Sequence, residues 1–138
     1  MITDLAGKTI IITGANSGIG KAAAIQLARL NANVVLACRS RERGTAALHD
    51  VQQAAGNGQV ELMQVDLASQ ASIRQFASEF KQRHNRLDVL IHNAANFDHT
   101  LKQATLTPDG VETIFATNHV GVFLLTMLLL DMLKASAP

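Results

Sequence analysis

An α/β fold built on a doubly wound parallel β-sheet is the architecture this sequence predicts, and three observations carry it. Short apolar runs rich in Val and Ile recur at residues 9–13, 33–38, 60–65 and 87–92. Longer stretches with helical spacing separate them. Parallel neighbours need such crossover helices, which cover both faces of the sheet and so favour strands that are apolar throughout. The first run also leads through a glycine-rich loop directly into a helix-forming stretch, Lys21-Ala22-Ala23-Ala24-Ile25-Gln26-Leu27-Ala28. About four strands and a long final helix follow from this alternation.

In chain order, the first strand is Thr9 to Thr13 and the first helix Ile19 to Leu30, stopped by Asn31, which tolerates left-handed backbone. The second strand is Asn33 to Cys38. The second helix runs from Arg41 to Ala55 and ends at Gly56-Asn57-Gly58. The third strand is Val60 to Val65, and Ser69 offers a hydroxyl cap for a third helix from Gln70 to His84. The fourth strand is Leu87 to His92. Thr107 as a cap, with Pro108 in the first helical position, predicts a final helix from Asp109 to Ala135. No repeat, low-complexity tract or interdomain linker interrupts this single unit.

Composition narrows the function. A chain of 138 residues, 48% hydrophobic, fits one domain. A net charge of +1 and 4% aromatics with no Trp or Tyr provide neither the field nor the stacking platforms that nucleic acid needs. Cys38 is the lone cysteine and lies in an apolar run, which fits a buried thiol in a reducing compartment. Asp4 stands where a secretory signal would carry basic residues, so a cytoplasmic location is expected. The apolar stretch Val120 to Leu130 is cut by Asp131 and falls short of the roughly 20 residues that cross a bilayer, so no membrane span is expected.

The loop Thr13-Gly14-Ala15-Asn16-Ser17-Gly18-Ile19-Gly20 carries the chemistry. Strand, glycine loop and helix in that order make a cradle for a pyrophosphate, because glycine lets phosphates approach bare N–H groups at a positive helix end. The candidate positions are Gly14, Asn16, Ser17, Gly18, Ile19 and Gly20. A Walker A loop would need four residues between its glycines and Ser or Thr after the lysine, whereas five separate Gly14 from Gly20 and Ala22 follows Lys21. NAD-binding folds and methyltransferases usually place an acid after the second strand to hold ribose hydroxyls. Here that strand ends in Ala37-Cys38-Arg39-Ser40. Arg39 offers a planar fork of donors for a 2′-phosphate, with Arg41 and Arg43 adding positive potential, which favours NADP(H) over NAD(H). A solvated basic turn is the plainer alternative, and Glu42 is a conceivable ribose ligand. The five histidines show no ligand spacing, so no metal site is expected.

Thr13 to Gly20, Asp66-Leu67, Asn93-Ala94 and Asn118-His119-Val120-Gly121-Val122-Phe123 together resemble the short-chain dehydrogenase/reductase family, in its retinol-dehydrogenase-like and WW-domain-oxidoreductase-like branch. The match runs along the whole chain. It implies a Rossmann-type sheet in the order 3-2-1-4, with residues 1–138 forming the N-terminal, NADP(H)-binding part of such a domain. By resemblance, Asp66 holds the adenine amino group and the Leu67 N–H faces the ring. Asn93 ties its loop to the neighbouring strand beside the nicotinamide ribose, with Ala94 next to it. His92 and Ala95 depart from the family's Asn-Asn-Ala-Gly. Asn118, the one catalytic candidate, matches the asparagine that interrupts the helix and holds a water in the proton relay.

The family transfers hydride between nicotinamide and a carbonyl or alcohol carbon, using a serine and a Tyr-x-x-x-Lys pair. No Tyr occurs in this sequence, which ends where the next strand of the family would begin. The fold is therefore expected to be incomplete at its C-terminus and the chain alone to show little or no turnover. A non-catalytic dinucleotide-binding or interaction module is the alternative. The final helix is apolar on nearly all faces, which predicts a homo-oligomer through that helix. A small carbonyl or alcohol substrate belongs only to a completed enzyme.

Overall fold

The computed structural model describes residues 4–56, 59–100 and 102–137. Asn57 and Gly58, two of the three residues of the expected stop after the second helix, lie outside them. Four strands, β1 (Thr9–Thr13), β2 (Asn33–Cys38), β3 (Val60–Gln64) and β4 (Val89–Ile91), form one parallel sheet in the order β3-β2-β1-β4. Ile11 lies opposite Val35 on one side and Leu90 on the other. The helices are α1 (Gly18–Arg29), α2 (Arg41–Ala55), α3 (Gln70–Arg83) and a last helix, Thr113–Ser136.

The pleat sorts the apolar runs onto two cores. Ile10, Ile12, Val34, Leu36 and Cys38 face α1 and α2, meeting Ala24, Ala28, Ala47 and Val51. Ile11, Val35, Ala37 and Met63 face the other way, onto Ile73, Phe76 and Phe80 of α3 and Leu125 and Leu129 of the last helix. Successive strand side chains point to opposite faces, so a run apolar throughout is what a sheet covered on both sides requires.

The boundaries follow local chemistry. Asn31 takes φ 65° just beyond α1 and Gly56 takes φ 75° at the end of α2, as their stop roles demand. Ser69 caps α3 by accepting from the Ser72 N–H at 3.2 Å. The expected start of the last helix is corrected. Thr107-Pro108-Asp109-Gly110 is a tight turn, closed by the Gly110 N–H donating to the Thr107 carbonyl at 2.9 Å with Gly110 at φ 76°. Proline second and glycine fourth are turn chemistry as much as helix-start chemistry. An antiparallel bridge between Leu106 and Glu112 flanks the turn, and the helix cap is Glu112, whose carboxylate accepts from the Ile114 and Phe115 N–H groups.

The last helix is 24 residues, long and apolar enough by length and composition to cross a membrane, although its uninterrupted apolar stretch is only Val120–Leu130. Leu125 and Leu129 are fully buried on the sheet, while Phe115, Phe123 and Met127 are exposed.

At the opposite end of the sheet, Asp88 clamps β1 to β4. Its carboxylate accepts from the Thr9 N–H at 2.9 Å, from Lys8 Nζ at 3.1 Å and from Arg86 through Nε at 2.8 Å and Nη2 at 2.5 Å. The Arg86 guanidinium first, then the Thr9 amide and Lys8, hold the Asp88 carboxyl down at about 2 against the desolvation that would raise it.

Candidate dinucleotide-binding site

At the carboxyl ends of the strands a cavity of about 400 Å³ opens between the loops, where ligands sit in open α/β sheets. One wall is the β1–α1 loop, with Thr13, Gly14, Asn16 and Ser17. Gly14 takes φ 66°, and a Cβ there would stand 2.8 Å from the Ala94 Cα. Gly20 is needed for packing: a Cβ would overlap the Asn93 amide and come 2.7 Å from the Gly14 carbonyl oxygen. Gly18, at φ 53°, has open space where its Cβ would be. The loop thus gathers glycine for three different reasons, and only at Gly18 is space left for something else to approach.

The N-terminus of α1 is open. Ser17 sits in the cap position without a side-chain capping bond, and the first turn holds no acid. By contrast Ser40, capping α2, accepts from the Arg43 N–H, and Glu42 lies in that helix's first turn. Bare N–H groups at the positive end of a 12-residue helix suit an anion. Ile19 is 83% exposed on this first turn, and Gly18, Ile19 and Gly20 do not line the cavity with side chains.

The second wall carries Arg39, Ser40 and Arg43. Arg41, grouped with them by sequence, points to the other side of α2 among Leu62, Gln64 and Glu79. Helical geometry turns each successive residue by about 100°, which separates Arg41 from Arg43. The third wall is Val65, Asp66 and Leu67. Asp66 Oδ1 accepts from the Ala68 N–H at 2.9 Å, fixing the carboxylate in the turn before α3. Ser69, not Asp66, caps that helix.

The fourth wall is Asn93, Ala94, Ala95 and Asn96, with Thr117 from the last helix. Asn93 is tied to the end of β1 and the first residue of the loop after it: its N–H donates to Thr13 Oγ1 at 3.1 Å, and its side chain donates to the Thr13 and Gly14 carbonyls at 3.1 and 3.2 Å. The Ala94 N–H donates to the same Thr13 hydroxyl at 3.1 Å. His92 Nε2 lies 2.8 Å from Thr126 Oγ1. That hydroxyl already donates to the Val122 carbonyl, so the imidazole is the donor, and partial burial pushes its pKa down.

Asn118 sits in a five-residue π segment, Ala116–Val120, where the Gly121 N–H reaches back to the Ala116 carbonyl. Such bulges re-aim side chains and recur at functional sites. Here the Asn118 side chain does not line the cavity: it grips the backbone of Asn96, donating to its carbonyl and accepting from its N–H, both at 2.7 Å. The side chain therefore holds the fourth wall in place. Thr117, Ser40, Ala37 and Asn96 line the cavity without having been singled out from sequence, since only the fold places them there. Among the described residues no group of three or more His, Cys, Asp or Glu could hold a metal.

Residues 8–137 match the family model described as short chain dehydrogenase. The chain is 51% identical over 99% of its length to dehydrogenase/reductase SDR family member 13 of Bos taurus, and 48% identical over 96% to retinol dehydrogenase 13 of Homo sapiens. It spans 35% and 39% of the length of those two relatives. In structure it is similar to the Pseudomonas aeruginosa RhlG/NADP active-site complex, with a TM-score of 0.80 and 28% identity over 99% of this chain and 50% of that one.

Proposed function

Because this chain belongs to the short-chain dehydrogenase family, we propose that its cavity binds NADP(H) in preference to NAD(H), as the cofactor-binding part of an oxidoreductase. The observation that carries this reading is one cavity with an uncapped helix N-terminus on one wall and Arg39, Ser40 and Arg43 on another. Pyrophosphate would lie against the Ser17–Ile19 amides, over the open side of Gly18. Arg39 and Arg43, with the Ser40 hydroxyl, would take the 2′-phosphate, and Asp66 with the Leu67 N–H the adenine. Asn93, Ala94 and Asn96, braced by Asn118, would form the nicotinamide-ribose side.

Such a cofactor supplies hydride exchange with a carbonyl or alcohol carbon. What these residues contribute is binding and orientation, since no tyrosine exists in the 138 residues to move the accompanying proton. The same observation favours a second reading, a dinucleotide-binding or interaction module without catalysis. A retinoid-like or other apolar alcohol–aldehyde pair is the substrate class the relatives' names point to for the whole protein.

Titration of the 138-residue chain with NADPH and NADH tests the proposal. Tighter binding of NADPH, without carbonyl-dependent oxidation of it, is expected. Absence of binding to either nucleotide overturns the cofactor reading, and turnover overturns the division of labour.

A further inference from the structure

Between β4 and the last helix the chain folds back as a strap, residues 105–121, that meets the segment after Asp66 at both of its ends. The strap is internally braced: the Thr107 N–H donates to the Val111 carbonyl and the Thr113 N–H to the Thr105 carbonyl, each at 2.8 Å. From its turn, Asp109 Oδ2 accepts from the Gln70 N–H at 2.9 Å, at the first residue of α3. From its far end, Gly121 lies buried against Leu67. A Cβ on Gly121 would overlap the Leu67 carbonyl oxygen and come 3.0 Å from the Ala116 carbonyl oxygen. That second oxygen is the acceptor of the π turn. Both neighbours are backbone, so neither yields without moving the chain. An added methyl shifts either the wall made by Leu67 or the turn that aims Asn118 at Asn96.

We propose that Gly121 and Asp109 are positioning residues for the adenosine end of the cofactor, holding the Asp66–Leu67 wall at its working distance from the rest of the cavity. The proposal rests on the cofactor reading above. It assigns to the last helix a role at the far side of the site from its Asn118 clasp: one backbone contact sets the adenine wall, and the π turn beside it sets the nicotinamide wall. The absence of a side chain at 121 thereby spaces the two walls.

The test uses the 138-residue chain and adenosine 2′,5′-bisphosphate, which probes only the adenosine end, with NADPH in parallel by calorimetry. Gly121→Ala is expected to weaken the bisphosphate about tenfold, the equivalent of one well-placed hydrogen bond. Asp109→Ala is expected to weaken it severalfold. Leu133→Ala loosens the same helix far from the site, and is expected to lower the unfolding temperature while leaving affinity unchanged. Wild-type affinity in Gly121→Ala, or an equal loss in Leu133→Ala, overturns the inference. Should Gly121→Ala not fold, unchanged affinity in Asp109→Ala overturns it instead. Failure of the wild-type chain to bind the bisphosphate would count against the cofactor reading alone. In that event the backbone amide resonances of residues 67–70 decide the positioning role: displaced in both variants and not in Leu133→Ala if it is right, unmoved if it is wrong.

Discussion

Asn118 and Asn96 form a reciprocal pair in which one side-chain amide serves both the carbonyl and the N–H of one backbone residue, at 2.7 Å each. The π turn makes this possible by turning Asn118 away from the regular helix ladder toward the loop after β4. Asn118→Ala removes both the acceptor of the Asn96 N–H and the donor to the Asn96 carbonyl. Because Asn118 is exposed, the expected loss is about 1 kcal/mol in urea unfolding, with faster hydrogen exchange at the Asn96 amide. Unchanged exchange at Asn96 would refute the clasp.

Arg39→Ala should remove the preference between nucleotides. Charge-assisted bonds to a phosphate contribute about 1.5–3 kcal/mol, so NADPH should weaken by about 10- to 100-fold while NADH is nearly unaffected. Arg43→Ala should act in the same direction and Arg41→Ala should not, because only Arg43 faces the cavity. A preference that survives Arg39→Ala would place the 2′-phosphate elsewhere.

The glycines of the loop should separate by cause. Gly14→Ala combines a left-handed backbone with a Cβ driven onto Ala94, and should cost more than about 2 kcal/mol in thermal unfolding. Gly18→Ala meets open space, so only backbone strain of about 1 kcal/mol applies, yet its methyl stands where pyrophosphate would lie. Stability near wild type with nucleotide binding lost is the expected signature of Gly18→Ala, and retained binding would contradict the cradle.

Acid should undo the β1–β4 clamp. The Asp88 carboxyl is held at about 2 against an ordinary 3.8, so its contribution is fully present above about pH 4 and is lost as pH falls toward 2. Asp88→Asn should therefore be less stable than wild type by about 2 kcal/mol near neutral pH, with the gap closing on acidification. A gap independent of pH would show that charge on Asp88 is not what holds the strands.

The chain by itself is expected to self-associate. Phe123 and Met127 are 63% and 51% exposed on one side of the last helix, and β4, with Val89 exposed, is one edge of the sheet. Light scattering at micromolar concentration should report a mass above the monomer, and Phe123→Glu should lower it. A sharp wild-type monomer would be the opposite result.

Much of the fold was legible because its signals are local or periodic. The strands β1 and β2 and the helix α2 fall where the apolar runs and stop residues place them. At β3 and β4 the strand ends fall one or two residues inside the apolar runs. Among the described residues β4 pairs with β1 alone, and His92 turns to Thr126. The misplaced start of the last helix has a different cause. Thr-Pro-Asp-Gly satisfies the rules for both a helix start and a tight turn, and the choice lay with Asp109, which satisfies the Gln70 N–H from that turn.

For the site, the sequence by itself determined its type: a glycine loop between strand and helix, a basic residue after the second strand, an acid after the third, and asparagines in the fourth strand's loop and the last helix. Those are properties of spacing, and spacing is written in the chain. Which groups meet was decided only by the tertiary structure. It turned Arg43 into the cavity and Arg41 out, gave the Asn118 side chain to Asn96, and made Gly121 the contact between the last helix and Leu67. The physical reason is rotation and close approach. A turn of about 100° per residue decides which side chain faces a cavity, and a methyl group's width decides how near two backbones can come.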